Sequence, residues 1–235
     1  MEKPTYGLIG RGRVATHMAR YLKLEAQPFL SWHRGEAVAP EEALVDADIV
    51  LLAISDDALA SFLADHPNLQ NRPTVHFSGS LTLEGAHGFH PLMTFGPESY
   101  NLESYRTVPF VIEEGGLRFH EVFPALRNPS WLIDPELKPI YHALCVLAGN
   151  FTTMLWTKAF DGFEQRLGLP REVLEPYLDR TRFNIAASGR DALTGSLARG
   201  DRRTVESDLR ALEGDPYHEV YRAFIGAFDE QEAGQ

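Results

Sequence analysis

A glycine-rich turn near the start of the chain has the residue types and spacing of a phosphate-binding loop. Gly10, Gly12 and Ala15 form a GxGxxA pattern between an apolar run that ends at Ile9 and a segment of helical spacing. The first glycine permits a tight turn, the second lets the backbone approach a pyrophosphate, and the alanine lets helix and strand pack closely. The pattern predicts a dinucleotide site whose anion faces the helix N-terminus; a strand-to-helix turn that binds nothing is the alternative. The predicted site comprises Gly10, Arg11, Gly12, Arg13, Val14 and Ala15.

The second apolar run, residues 28–32, is followed by basic rather than acidic side chains. Dinucleotide-binding proteins that prefer NAD place an acid near the end of this strand, where it binds the ribose 2′-hydroxyl. Here the first acid is Glu36. The side chains present can instead bind a 2′-phosphate. They are Ser31, His33 and Arg34 at the strand end and Arg11 and Arg13 in the turn. This cluster favours NADP(H) over NAD, whereas arginines that contact only solvent are the alternative. The missing acid also argues against S-adenosylmethionine.

Three further features carry residue types that are common in active sites. Ser78 and Ser80 offer hydroxyls near the predicted cofactor, although Ser-Gly is also a turn signal. Ser78 is not expected to be a hydrolase nucleophile, because the GxSxG frame is absent. An HxxH pair, His87 and His90, has only Glu84 at ligand spacing and no nearby cysteine, so no metal site is predicted. The single cysteine, Cys145, stands on an apolar helical face and is predicted to be packing.

The first half of the chain alternates apolar runs with helical segments. Runs at residues 5–9, 28–32, 48–54, 74–79 and 108–113 indicate strands. The continuously apolar run at 48–54 suits a strand buried on both faces of a parallel sheet. The alternation predicts an α/β fold, a Rossmann-type mainly parallel sheet with helices on both faces.

The second half shows only helical patterns. Asp134-Pro135-Glu136 has the signature of a helix start, and the apolar pattern then continues to Leu167 before Gly168 and Pro170. We therefore predict a nucleotide-binding domain at 1–134 and an all-α domain at 135–235. The apolar stretch that follows Lys138 contains histidine, asparagine, glycine and threonines, which favours a buried helix over a membrane span.

Composition limits the possible partners. The 235 residues carry a formal net charge of -11, which disfavours binding to nucleic acid or an anionic membrane. One cysteine permits no internal disulfide and suits a reducing compartment. The N-terminus has no secretory pattern, so a cytoplasmic location is expected.

Beyond these residues, the sequence resembles the NADP-binding oxidoreductase-like proteins of the pyrroline-5-carboxylate reductase and 6-phosphogluconate dehydrogenase superfamily. It is most similar to a branch that joins a Rossmann-like domain to a helical domain of unknown function. The similar segments are AISDDAL (53–59), HFSGS (76–80), GFHPLMTFGP (88–97), IYHALCVLAGN (140–150) and LTGSLARGD (193–201). The third of these also resembles a stretch of prephenate dehydrogenases, and in the last Ser196 stands where proline is expected.

The resemblance implies where the reaction takes place. It places Ile54 and Ser55 near the nicotinamide and the substrate between the nicotinamide and the helical domain. Hydride transfer to C=O or C=N needs a proton donor, for which His142 and then His90 are the candidates. Related dehydrogenases carry a catalytic lysine and a nearby asparagine at the start of a comparable helix. We find no lysine in that place, and Asn150, the third catalytic candidate, lies farther from His142 than the spacing in those dehydrogenases, so their roles do not transfer directly. Each histidine has an ordinary structural alternative, a hydrogen bond to a backbone carbonyl.

Two functions follow as hypotheses. The first is an NADP(H)-dependent oxidoreductase that transfers hydride to or from a small carbonyl, imine or hydroxy compound. In this case the resemblance implies a homodimer formed through the helix at 135–167. The second is an NADP(H)-binding sensor or regulator without catalysis, which the missing lysine favours.

Overall fold

The computed structural model describes residues 3–234, which form two compact units divided between Leu155 and Trp156. Unit 1 contains a seven-stranded sheet and the helices around it, and unit 2 contains helices. The expected fold class, a Rossmann-type α/β sheet followed by a helical region, is confirmed. The domain boundary near Asp134 stays a prediction.

The strands of unit 1 lie in the order β2-β1-β3-β4-β5-β6-β7. Their ranges are β1 Tyr6–Ile9, β2 Phe29–Trp32, β3 Ile49–Leu52, β4 Thr74–His76, β5 His87–Pro91, β6 Phe110–Glu113 and β7 Ser130–Ile133. Strands β1 to β5 are parallel to one another, whereas β6 is antiparallel to β5 and parallel to β7. Because β1 pairs with both β2 and β3, the strand order reverses there and leaves a crevice at the carboxyl ends.

Helices cover both faces of the sheet and form two cores. One core joins β1, β3 and β5 to the first helix through side chains such as Leu8, Met18, Leu51 and Phe89. The other includes Ile9, Trp32, Leu52 and Leu59. Strand β3 contributes alternate side chains to each core, which accounts for its continuously apolar sequence. The helices of this part are α1 Arg13–Leu24, α2 Pro40–Ala43, α3 Asp56–Asp65, α4 Leu102–Thr107 and α5 Phe119–Val122, with a 3₁₀ turn at Pro67–Asn71.

The long apolar segment is helical, as predicted, but it is not a uniform α-helix. Asp134 accepts a hydrogen bond from the Glu136 amide and starts a 3₁₀ turn, Pro135–Leu137. Helix α6, Lys138–Cys145, then passes through a π-helical turn, Val146–Phe151, into α7, Thr152–Arg166. Among residues 3–234, no helix has the length and apolar character needed to cross a bilayer.

Unit 2 consists of the end of α7 and three more helices. These are α8 Glu175–Ser188, α9 Arg202–Ala211 and α10 Tyr217–Ala233, with 3₁₀ turns at Arg171–Leu174 and Gly189–Ala192. Asp215 binds Lys158 at 2.5 Å, which fixes the start of α10 against α7. Asp201 accepts from the Thr204 amide and begins α9.

Candidate functional site

The glycine turn connects β1 to α1 at the crevice between β1 and β3. Gly10 has a φ of +127°, and a Cβ there would lie 2.2 Å from the carbonyl oxygen of Ala53. Only glycine fits this close approach to the end of β3. The buried Ala15 packs on the inner side of the turn, as predicted for the third small residue.

Gly12 faces open space. It precedes α1 with extended backbone, and a Cβ added to it would meet nothing within 4 Å. The first amides of α1 have no partner within their helix. Open room at a helix N-terminus is the environment that a phosphate group requires.

A cavity of about 630 Å³ lies over this turn. Its volume is in the range typical of small-molecule sites. The predicted cofactor residues that line it are Gly10, Arg11, Gly12, Arg13, Val14, His33, Arg34, Ile54, Ser55 and Ser78. Ala15 lies behind the turn, and Ser31 is exposed on β2 outside the cavity, so the assignment of Ser31 to the 2′-phosphate stays a prediction.

One end of the cavity is basic. His33 Nδ1 accepts a hydrogen bond from the Gly35 amide at 3.1 Å, so the proton of the neutral ring lies on Nε2, which can donate to a ligand. Arg34 is exposed beside it. The first acid of this segment, Glu36, accepts from the His33 amide at 3.0 Å and thereby closes the loop. This end can therefore hold a phosphate.

Three aromatic rings line the cavity near the same end and were missed in the sequence. Trp32 and Phe62 have ring centroids 5.9 Å apart, and Phe62 lies 4.5 Å from His66. They form an apolar wall suited to a purine ring. No local pattern links them, because Trp32 ends β2 whereas the other two lie one turn apart near the end of α3.

At the other end of the cavity, Asp56 is held by two serines. Ser78 Oγ donates to Asp56 Oδ2 at 2.7 Å, and Ser80 Oγ donates to the same oxygen at 3.1 Å. Helix α3 begins at Asp56 beside the end of β3, and the serines follow β4. The sequence drew attention to Ser78 but not to its acidic partner.

The predicted catalytic histidines lie together. His90, at the carboxyl end of β5, and His142, on α6, have ring centroids 6.4 Å apart. Gly79 lies against both, since a Cβ there would be 2.8 Å from His142 and 3.1 Å from His90. His90 Nδ1 is 2.6 Å from the hydroxyl of Tyr141, a residue that the sequence did not single out.

Burial sets the protonation of this cluster. It is the main cause that lowers the pKa of His90 to about 4, and electrostatic effects of His142 and Lys138 add to it. Burial also raises the pKa of the Tyr141 phenol above its usual range, and the neighbouring Cys145 contributes. At neutral pH both partners of the short contact are therefore uncharged.

The remaining candidates lie apart from this cluster. Asn150 is exposed in the π-helical turn, and its catalytic role stays a prediction. Within residues 3–234, no three His, Cys, Asp or Glu side chains are arranged to hold a metal ion.

The inference that no lysine stands at the start of the long helix is wrong. Lys138 is the first residue of α6 and is almost completely buried. Its ammonium donates to Glu113 at 2.5 Å and to the carbonyl oxygen of Leu81. A second glutamate oxygen accepts from the Gly88 amide at 2.9 Å. The ion pair joins α6 to β5 and β6, and its charge is already matched inside the protein.

His76 borders the ion pair. Its Nε2 lies 3.8 Å from Glu113, has no hydrogen-bond partner among the described residues, and is completely buried. Burial, followed by the effect of Lys138, lowers the pKa of His76 to about 4. His76 is therefore neutral, and Glu113 and Lys138 balance each other.

The comparisons agree with this architecture. Residues 113–227 match the family model of a domain of unknown function, DUF2520. No curated protein sequence shows significant similarity to the chain.

Several solved structures share the fold over almost the whole chain. A protein from Bacteroides fragilis that is described as an NADP oxidoreductase is 21% identical, with a TM-score of 0.77 and coverage of 97% of this chain and 98% of that one. A protein from Thermotoga maritima is 22% identical, with a TM-score of 0.67 and coverages of 96% and 97%. Pyrroline carboxylate reductase from Plasmodium falciparum, solved with NADP bound, is 12% identical, with a TM-score of 0.60 and coverages of 97% and 98%. At these identities the comparisons establish the fold.

Proposed function

We propose that the protein is an NADP(H)-dependent oxidoreductase that transfers hydride to or from a small carbonyl, imine or hydroxy compound. The observation that carries the proposal is the cavity over Gly12, open at the N-terminus of α1 and basic at one end. The NADP bound to the pyrroline carboxylate reductase of the same fold supports it. Because the chain as a whole is acidic, a basic end in one cavity supports the binding of an anionic ligand there.

Different parts of the cavity are assigned to different parts of the cofactor. The α1 amides and Gly12 hold the pyrophosphate, and His33 and Arg34 bind the 2′-phosphate. Arg13 donates to the carbonyl oxygen of Phe95 at 3.3 Å and contributes positive charge from the cavity wall. The aromatic wall would hold the adenine, and Ser55 and Ser78 would lie beside the nicotinamide. When bound, the cofactor supplies or accepts the hydride.

The substrate is proposed to lie beside His90 and His142, beyond the serines. There His142 protonates the product of a carbonyl substrate, and His90, kept neutral by burial, orients the Tyr141 hydroxyl. Asn150 is the proposed polar neighbour on the helix. Residues 1–134 would serve the cofactor and 135–235 the substrate and dimer contacts, in a cytoplasmic protein.

A homodimer is proposed through the long helix. Its exposed apolar residues recur every three or four positions: Leu137, Ile140, Leu144, Leu147, Phe151 and Met154. A continuous apolar face of this kind is costly in water and suits a second copy of the same helix.

A Gly12→Val substitution tests the cofactor site. The valine side chain would occupy the space assigned to the pyrophosphate, and we expect at least a tenfold loss of NADPH affinity with little change in stability, since the site is open. The measurement is a titration of NADPH followed by nicotinamide fluorescence. The control is Gly162→Val, another glycine in open space but on α7.

Unchanged NADPH affinity in Gly12→Val would reject the pyrophosphate assignment. If NADPH binds but no carbonyl, imine or hydroxy compound is turned over, the protein fits the second hypothesis, a sensor. The neutral His90–Tyr141 pair and the internally matched Lys138 favour that second function.

A further inference from the structure

His66 is held in the aromatic wall of the cavity by an acidic side chain. It lies at the end of α3, and its Nδ1 is 2.8 Å from Oε1 of Glu41 on α2. A carboxylate only accepts hydrogen bonds, so this contact places a ring proton on Nδ1. In the neutral ring Nε2 then carries no proton, and it has no hydrogen-bond partner among residues 3–234. The one ring nitrogen that is left for a ligand is therefore an acceptor.

The geometry of the rings determines how a ligand would meet this nitrogen. The plane of His66 is inclined by 45° to Phe62 and by 65° to Trp32. A purine that stacks on either of those rings is therefore inclined to the imidazole and meets its edge rather than its face. Stacking alone accepts any base, whereas the edge of an imidazole carries its nitrogens and adds a directional hydrogen bond.

The ordinary explanation of the Glu41–His66 pair is a link between α2 and α3. The side chains of Glu41 and His66 are 30% and 25% exposed, and a pair of that exposure contributes little to stability. Such a link does not require His66 to line the cavity together with Trp32 and Phe62. The position of His66 in the cavity wall is what points to a ligand.

We infer that His66, oriented by Glu41, is a specificity-determining residue that accepts a hydrogen bond from the 6-amino group of the adenine of NADP(H). This inference rests on the proposed function and deepens it, because it assigns recognition of the base within the same cavity. A purine with a carbonyl oxygen in place of that amino group sets one acceptor against another, and the site selects against it. The 2′-phosphate is assigned to His33 and Arg34, so recognition of the base is a separate property.

The test compares NADPH with its reduced deamino analogue, in which hypoxanthine replaces adenine. The two dinucleotides have the same phosphates and the same fluorescent nicotinamide, so one titration of the purified full-length protein serves both. The measurements are made at pH 8.5, where a histidine is ordinarily neutral. We expect the wild type to bind NADPH roughly tenfold more tightly than the analogue, the size of one hydrogen bond lost at a partly exposed site.

His66→Phe keeps an aromatic ring in the wall and removes the acceptor. It should bring the two affinities to within about threefold of each other. Glu41→Gln removes the carboxylate that fixes the ring proton on Nδ1 and should lower the ratio part of the way. The matched control is His120→Phe, the same change at an exposed histidine on α5 outside the cavity, which should keep the wild-type ratio.

The ratio of the two affinities separates recognition from a structural role, because a structural defect would weaken the binding of both dinucleotides alike. Equal affinities in the wild type, or a wild-type ratio in His66→Phe, would overturn the inference and leave the NADP(H) site standing. A wild-type ratio in Glu41→Gln would overturn the orienting role of Glu41. Binding of neither dinucleotide by the wild type would instead reject the proposed function itself.

Discussion

At the scale of single residues, the glycine turn depends on Gly10, whose positive φ and close approach to Ala53 exclude any side chain. The GxGxxA spacing predicted this glycine and also Gly12, where a Cβ would meet nothing within 4 Å. Tyr141, Asp56 and Lys138 could not be predicted in this way. Their partners lie 51, 22 and 25 positions away in the chain, and only the folded sheet brings them together.

The buried His76 is expected to make the stability of the protein depend on pH. Its pKa is about 4 in the folded protein and 6.5 in the unfolded chain, so the unfolded state binds the proton first as the pH falls. Above pH 6.5 the ring is neutral in both states, and it does not lower the free energy of unfolding. Between pH 6.5 and 4 the free energy of unfolding falls by up to about 3 kcal/mol, because the unfolded chain binds the proton and the folded protein does not. Unfolding in urea across this range is expected to show less pH dependence in His76→Asn than in the wild type.

The control for this measurement is His120→Asn, which changes an exposed histidine on α5. It should keep the wild-type dependence on pH. Equal dependence in His76→Asn and the wild type would show that His76 does not stay neutral in the folded state.

At the scale of elements, the strands with clear apolar runs were predicted and two others were not. Strands β5 and β7 were not predicted as elements. Strand β5 contains two histidines, a glycine and a proline, and β7 is exposed along most of its length. Both lie on the side of the sheet where β6 runs antiparallel, so pairing across strands rather than local propensity fixes them.

The buried ion pair is expected to fix the start of α6 against the sheet. Lys138→Met would leave Glu113 charged and buried without its partner, which should destabilise the protein by about 3–5 kcal/mol. Adding Glu113→Gln should recover much of this loss, because glutamine keeps an acceptor for the Gly88 amide and removes the unpaired charge. Denaturant unfolding of the two variants measures both effects. A loss below about 1 kcal/mol in Lys138→Met would contradict a stabilising pair.

At the scale of the whole molecule, the sequence predicted the order of the parts. The sheet-then-helix organisation is confirmed, the first compact unit extends to Leu155, and the domain boundary near Asp134 stays a prediction. The composition changes where the apolar helix begins, but the first part of that helix packs on the sheet through Lys138 and Tyr141. A change in composition marks the start of an element and does not show which core that element joins.

The apolar face of the long helix is expected to form a homodimer interface. The wild type is expected to be a dimer at micromolar concentration, and Leu144→Glu with Leu147→Glu should give a monomer, because two charges would be buried in the interface. Size-exclusion chromatography with light scattering measures the mass. Val45→Glu, which changes an exposed apolar residue outside the stripe, should remain a dimer. A monomeric wild type would contradict the proposal.

The most direct test of the central claim is a pair of titrations, NADPH and NADH, of the wild type and Arg34→Ala. We predict that NADPH binds more tightly than NADH, and that Arg34→Ala loses roughly tenfold or more of this preference while its affinity for NADH stays unchanged. Arg20→Ala, an exposed arginine on α1 outside the cavity, should behave as the wild type. Absence of binding by either nucleotide, or equal affinity for both in the wild type, would contradict the assignment of this cavity to NADP(H).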